Sequence, residues 1–340
     1  MLDDVALTWL RLNERRSSLH ERSKLNDTAG RRQTFAAAMT QFEEQFAAAK
    51  AVTAATRPLN LYYGLAQAGM AIAAAHAPDP WSFSRHGLRL GDRTPELVDM
   101  LIGPESEGAF QKVATATGSA DITEPVSLGA LWASLPDLSA IGTLPGSNRP
   151  EPLIFLAEEF PARRPQATLL LPGEMPTEPK AFLTRFSKIM TDYPDAAGVA
   201  IPIERDSVQA PGQPGGKWQV TVRWPAADSQ QEMSVEDLKA FYDKVAPEYR
   251  YRGDRFLRPA IDMATTAPPS PLMTWWLLLY SFSMLARYEP RRWIKLLDLD
   301  TSKVAVLLRY ALEEALAAVP QLVLEALDGE PTLLAKPMAF

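Results

Sequence analysis

The chain holds 340 residues, with 29 Pro, 18 Gly, no Cys and a formal net charge of -6. A hydrophobic share of 46% beside 22% charged residues excludes wholesale disorder, and the length fits one large domain or two modest ones. Without Cys there are no disulfides, thiolate zinc sites, iron–sulfur clusters or Cys nucleophiles. Three His leave little for a His-rich metal site, and an acidic total gives the wrong field for indiscriminate binding to nucleic acid or anionic membranes.

The opening stretch MLDDVALTWLRLNERR is acidic at positions 3 and 4 and has no apolar h-region. It does not read as a secretory signal, and cytoplasmic residence is expected. Residues 1–77 read as helix. Phe35, Met39, Phe42, Phe46 and Ala49 recur at spacings of three and four, with Glu43, Glu44 and Lys50 largely off that stripe. Arg57-Pro58 opens a second helix, with Pro where its missing N–H does no harm. Leu59–Ala77 is apolar nearly all round and rich in Ala and Gly, the composition of a buried helix whose small residues admit close neighbours. Pro78 and Pro80 end it.

Residues 81–150 are rich in Gly, Pro and Ser and read as loops and short elements, with one short helix at Ser127–Ser134. Strands are expected at Leu153–Ala157, Ala167–Leu171, Gly198–Ile203 and Trp218–Trp224, the last alternating Trp218, Val220, Val222 and Trp224 on one face. Pro179–Tyr193 between them reads as helix, and Gln209–Gly216 as a flexible loop. Ser234 and Asp237 form a capping box. Helices follow at 235–245, 271–286, 290–296 and 302–328. The strongest apolar run, Pro271–Ala286, is 16 residues long and broken by Tyr280, Ser281 and Ser283. A bilayer span needs about 20, so a buried core helix and no membrane contact are expected. The fold class is therefore mainly α (α+β). Residues 1–145 form an N-terminal helical part, 146–230 an inserted β-containing module, and 231–340 a C-terminal helical part packing on the first.

Much chemistry is absent. No GxxxxGK[ST], GxGxxG after a strand, HExxH or GxSxG occurs, and the His at 20, 76 and 86 share no helix at four-residue spacing. Glu158-Glu159 and Glu313-Glu314 read as solvated faces, and Asp298 and Asp300 as flanks of the N-cap of the last helix. No cofactor and no metal are expected. His76, inside an Ala-rich helix, reads as a satisfied core His.

Two stretches carry a resemblance. Arg31-Arg-Gln-Thr-Phe-Ala with Thr56-Arg-Pro-Leu-Asn-Leu-Tyr-Tyr-Gly and His86-Gly87 is one; Met284-Leu-Ala-Arg-Tyr-Glu-Pro-Arg-Arg-Trp with the 298–302 cap is the other. Together they resemble the YaaC-like family of bacterial proteins, in its actinobacterial form. The Arg-Pro-Leu-x-Leu-Tyr-Tyr helix is also similar to the helical core of HEPN-type proteins, which include RNases, defence components and inactive scaffolds. That second resemblance implies an Arg-x4-6-His site in which His acts on a ribose 2′-OH and Arg steadies the phosphate. Arg15 and His20 match the spacing, near the N-terminus rather than late in the helical domain.

Other candidates come from the residues themselves. Arg85 and His86, in a turn with Gly87, read as an anion contact or as a turn fixed by hydrogen bonds. Arg57 at a helix start reads as an anion site or as an ion pair with a C-terminal carboxylate such as Glu289. Residues 241–310 hold 11 Lys/Arg against 7 Asp/Glu, with Arg250, Arg252, Arg255, Arg287 and Arg292 interleaved with Tyr, Phe and Trp. Such a cluster suits phosphate contact and base stacking, or an internal ion-pair network. The leading expectation is a non-catalytic binding or scaffold component, in the setting of a stress or phage-defence assembly. It would recognise a protein partner, a second copy, or a nucleotide or RNA through those five Arg. The alternatives are a HEPN-type metal-independent RNase and a small-molecule enzyme with a site near Arg57 and His86.

Overall fold

The apolar stripe at 35–49 is the interior face of a helix, and the helices around it are fixed by what that face needs. The computed structural model describes residues 4–18, 23–26, 29–83, 85–91, 96–139, 141–157, 165–171, 173, 175–194, 200–208, 217–223, 232–245, 249–251, 254–261 and 268–329. Its contacts define two units, residues 1–149 with 268–340 and residues 150–267.

In the first unit, α1 (Asp4–Ser17) lays Trp9 on Phe42 and Phe46 of α2 (Ala29–Ala51), with ring centroids 4.9 and 5.9 Å apart. Phe35, Met39, Phe42, Phe46 and Ala49 are all buried, as their spacing predicts. The next helix, α3 (Arg57–His76), is buried along most of its length. Its glycines do what the composition implied. A Cβ on Gly64 would lie 2.6 Å from the Phe46 ring, and one on Gly69 would collide with the Trp276 indole.

Short elements follow: β1 (Leu88–Leu90), β2 (Leu101–Pro104), α4 (Ala109–Thr117), β3 (Val126–Ser127), α5 (Leu128–Ser134) and α6 (Pro136–Ser139). The three strands form an antiparallel sheet in the order β1-β2-β3. Ser127 caps α5 by accepting from Ala130 N–H at 3.2 Å.

The second unit holds β4 (Leu153–Ala157), β5 (Gln166–Leu171), α7 (Pro179–Met190), β6 (Ala200–Val208), β7 (Lys217–Arg223), α8 (Val235–Val245), β8 (Tyr249–Tyr251) and β9 (Asp254–Leu257). The sheet order is β6-β7-β5-β4-β9-β8, every pairing antiparallel. Ala167 and Leu169 stand opposite Val222 and Val220 and, with Leu171, share one buried face, where Phe182 and Phe186 of α7 and Leu238 of α8 cover them. The Ser234–Asp237 capping box is present: Asp237 N–H donates to Ser234 Oγ and Ser234 N–H to Asp237 Oδ2, at 3.1 and 3.2 Å. It opens α8, so the boundary expected at 230 moves to 267. Leu238 packs α8 on the sheet, and β9 pairs with β4. The expected loop 209–216 lies outside the described residues.

The chain returns to the first unit with α9 (Pro271–Tyr288), α10 (Pro290–Leu296) and α11 (Ala305–Asp328). Helix α9 is the apolar run, buried from Pro271 through Ser283. Among the described residues no helix is long and apolar enough to cross a membrane. Helix α11 starts at Ala305 rather than 302, with Val304 at its N-cap. Asp298 closes the preceding turn instead, accepting from Asp300 N–H and Thr301 Oγ at 3.0 and 2.7 Å, which holds its carboxyl below the usual range. The two ends of the chain thus share one helical body, mainly α with a β-containing insertion.

That body is tied at its helix ends by side chains donating to carbonyls. Arg31, 1% exposed, gives Nη1 to Ala74 O at 2.9 Å and Nη2 to Ala77 O at 3.0 Å and Asp79 Oδ1 at 2.6 Å. Trp81 lies beneath the guanidinium, 5.1 Å from its carbon. His76 Nε2 meets Leu327 O at 3.0 Å, confirming a satisfied core His. Trp293 donates to Ala54 O and Ala55 O, and Arg309 to Leu297 O. Arg31→Leu strips the end of α3 of donors where water cannot replace them. We expect it to lower the unfolding free energy in urea by about 3–5 kcal/mol. Arg31→Lys should recover only part, because one ammonium cannot copy the fork.

Candidate functional site

The candidate cations sort by what already holds them. Arg15 donates to both carboxylate oxygens of Asp328, at 2.6 and 3.0 Å, and His20 lies outside the described residues. Arg57 gives Nε to Ala49 O at 2.9 Å, Nη2 to Val52 O at 3.0 Å and Nη1 to the Glu313 carboxylate. The expected ion pair of Arg57 exists, with Glu313 of α11 as partner in place of Glu289. Glu289 sits at the α9–α10 junction and accepts from Arg292 at 3.4 Å. Arg250 and Arg255 stand opposite each other in the β8–β9 register, and Arg252 lies outside the described residues. These three belong to the 150–267 unit, whereas Arg287 and Arg292 belong to the helical one. The five Arg are therefore divided between two units.

What the helical unit does gather is a cluster of rings around the 85–87 turn. Helix α3 supplies Tyr62 and Tyr63, and α9 supplies Tyr280, Arg287 and Tyr288. Tyr62 Oη meets His86 Nδ1 at 2.8 Å. The Tyr280 ring stands edge-on to Tyr62 with centroids 5.4 Å apart, and 6.0 Å from His86. Tyr280 Oη donates to Leu88 O at 2.9 Å. Arg287 Nη1 donates to Tyr63 Oη at 3.0 Å, and its guanidinium carbon lies 5.0 Å from the Tyr288 ring centre. Tyr62 is buried, while Tyr63 and Tyr288 are 40% and 58% exposed; Arg85, His86 and Arg287 face solvent.

The turn that carries His86 is built to hold still. Gly87 has φ 78°, a left-handed conformation that favours glycine. Arg85 O and His86 O accept from Ala109 and Phe110 N–H at 2.7 and 3.3 Å, which satisfies donors in the first turn of α4. The Gln111 side chain accepts from Gly108 N–H and donates to Gly87 O, both at 3.0 Å. A Cβ on Gly87 would collide with the Gln111 amide oxygen.

Burial pushes the Tyr62 phenol far above its ordinary range, and the neighbouring Tyr280 adds to this. A smaller opposing influence comes from the Trp276 indole N–H, which has no partner within hydrogen-bond geometry. Burial first, then Glu105 and Tyr288, push Tyr280 up to about 12. Both phenols are therefore protonated donors at neutral pH. Glu105, exposed, is the acid on this side of the cluster, its backbone N–H bonded to Gly87 O at 3.1 Å.

Arg287 has no carboxylate partner among the described residues, only a neutral phenol and an aromatic face. A guanidinium placed so, beside the half-exposed Tyr63 and Tyr288 rings, can meet an anionic oxygen and stack a planar group. Among the described residues no group of His, Asp and Glu is placed to hold a metal ion. Sequence reasoning brings Tyr288 in with the Arg/aromatic cluster but misses Tyr62, Tyr63 and Tyr280 as site residues. Their signal was a phenol at helix positions otherwise filled by aliphatic groups, as in LNLYYGL and WWLLLY.

Fold and site together define a mainly helical α+β protein with a surface-held His–Tyr–Arg cluster. A family model described as YaaC-like Protein matches residues 6–327, and the chain belongs to that family. No curated protein and no solved structure matches it.

Gly87→Ala forces a left-handed alanine against Gln111. It should lower stability by about 1–3 kcal/mol in chemical unfolding. In the folded fraction it should shift the His86 ring resonances, since the turn must move. An unshifted His86 spectrum would show that the clamp does not position the ring.

Proposed function

We propose that this protein is a non-catalytic binding component that takes a phosphate-bearing ligand, a nucleotide or single-stranded RNA, on the surface made by Arg287, Tyr63, Tyr288 and His86. The carrying observation is that Arg287 is exposed and, among the described residues, bonded only to neutral groups, while Arg15, Arg57 and Arg292 each hold a carboxylate. On the 150–267 unit, taken by itself, Arg250, Arg252 and Arg255 are proposed as a separate phosphate contact. The likeness of α3 to HEPN-type cores, and of the chain to actinobacterial members of its family, sets the reading in a cytoplasmic stress or defence assembly with a partner protein or second copy. The two catalytic alternatives gain no support, because the guanidinium each would aim at substrate is already engaged: Arg15 by Asp328, Arg57 by Glu313 and two carbonyls.

The test is binding of a short fluorescent RNA and of ATP across a salt series. Affinity should fall steeply with salt, with a slope of about 0.7 per phosphate contact. Arg287→Ala should weaken binding roughly tenfold and reduce that slope by about one contact. Arg287→Lys should keep the slope and lose affinity, since an ammonium loses the planar stacking on Tyr288. A flat salt response, or an Arg287→Ala variant that binds like wild type, overturns the proposal.

A further inference from the structure

His86 is the exposed imidazole of the cluster, and its two nitrogens stand in different surroundings. Nδ1 meets the hydroxyl of Tyr62, which is 3% exposed; Nε2 has no partner among the described residues. Resting on the phosphate-binding reading above, we infer that His86 is a hydrogen-bond donor of fixed direction, its Nε2–H presented outward to an oxyanion oxygen of the ligand. Tyr62 is the positioning residue that sets this tautomer.

The tautomer follows from counting protons. A phenol carries one, and the Tyr62 hydroxyl has one hydrogen-bond partner among the described residues, His86 Nδ1 at 2.8 Å. The Trp276 indole, whose Nε1 has no hydrogen-bond partner among the described residues, is a donor and could not take the phenolic proton. If His86 donated through Nδ1, the buried phenolic proton would be left without an acceptor, and a buried unsatisfied donor is penalised. The phenol therefore donates to Nδ1, and a neutral ring that accepts at Nδ1 carries its proton at Nε2.

The backbone and ring are fixed as well. Phe110 N–H holds the His86 carbonyl at 3.3 Å, Gly87 turns the chain, and the Tyr62 and Tyr280 rings flank the imidazole at 5.7 and 6.0 Å. The buried phenol and the exposed imidazole then make one polarised pair running from core to surface. This assignment bears on chemistry. A general base at Nε2 would need a free lone pair there, and the neutral ring has a proton in that place. The arrangement suits holding a phosphate or carboxylate oxygen, with Arg287 supplying charge.

The experiment uses the full chain with 15N-labelled histidine, and three His make the spectrum simple to assign with His86→Ala as reference. Long-range proton–nitrogen spectra should place the proton of neutral His86 on Nε2. Tyr62→Phe, which keeps the ring and removes the hydroxyl, should turn that single form into a mixture. Inorganic phosphate should move the His86 signals saturably, and acetate, titrated in parallel, tells phosphate from carboxylate preference. His86→Ala should weaken phosphate binding roughly tenfold. His86→Gln, whose amide N–H can stand where Nε2–H stands, should recover most of it, a rescue no general base would show. A proton on Nδ1 in the wild type, or an unchanged tautomer in Tyr62→Phe, overturns the inference. If Arg287→Ala abolishes phosphate binding while the His86 signals never respond, the inference falls and the binding reading stands. If phosphate does not bind the wild type at all, both fall.

Discussion

The helical body depends on a reciprocal exchange between two antiparallel helices. Arg31 lies in the first turn of α2 and donates to the last carbonyls of α3; Arg57 opens α3 and donates to the last carbonyls of α2. A guanidinium is unfavourable at the positive end of its own helix and favourable at the negative end of a neighbour. In an antiparallel pair those two ends adjoin, so each Arg satisfies orphan carbonyls that its own helix cannot reach. Both charges are buried or nearly so and each has a carboxylate, Asp79 or Glu313, at its outer edge. Because a buried guanidinium stripped of partners is so costly, the register of α2 against α3 has few alternatives.

That register places the cluster. Once α3 is fixed, Gly64 and Gly69 set how near Phe46 and Trp276 approach, and so where α9 lies. Tyr62 and Tyr63 then meet Tyr280 and Arg287, which come from more than 200 residues further along the chain. The backbone of the third contributor, the 85–87 turn, is held by the first turn of α4, while Tyr62 of α3 meets the His86 ring. The site thus has rings on rigid helices and its imidazole on a turn whose backbone groups are satisfied, the arrangement expected where position matters more than adaptability.

Periodicity made much of this legible and spatial pairing the rest illegible. The stripe from Phe35 to Ala49, the buried α9, the strand at Leu153–Ala157 and the Ser234 capping box all express local rules that a sequence carries openly. Helix α4 is nine residues long between Gly-rich flanks, too short for its Phe110–Val113–Ala114 spacing to stand out. In sequence the β8–β9 hairpin reads as an Arg cluster, because four Arg in nine residues hide the alternation beneath them. The same capping box that located α8 misplaced the domain boundary: a helix start says nothing about which core the helix will join. Arg57 shows the limit most plainly. An ion pair could be foreseen from a charge entering a buried helix, but Glu289 and Glu313 are equally acidic on paper, and the choice is made by the packing of α11.

The division of the arginines gives the cluster its meaning. An Arg paired with a carboxylate is neutralised, and a ligand must displace or bridge that partner to use it. Arg287 is oriented by a phenol instead. A neutral acceptor restrains the guanidinium without cancelling its charge, so part of the ordering entropy that binding would otherwise demand is already spent on folding. Tyr288 beneath it limits the remaining freedom and offers a ring face to a planar group. Tyr62 acts on His86 in the same manner, a buried neutral hydroxyl directing an exposed polar group. Two exposed groups aimed by buried or half-buried phenols, rather than quenched by acids, are what separate this surface from the ion pairs that merely hold the helices together.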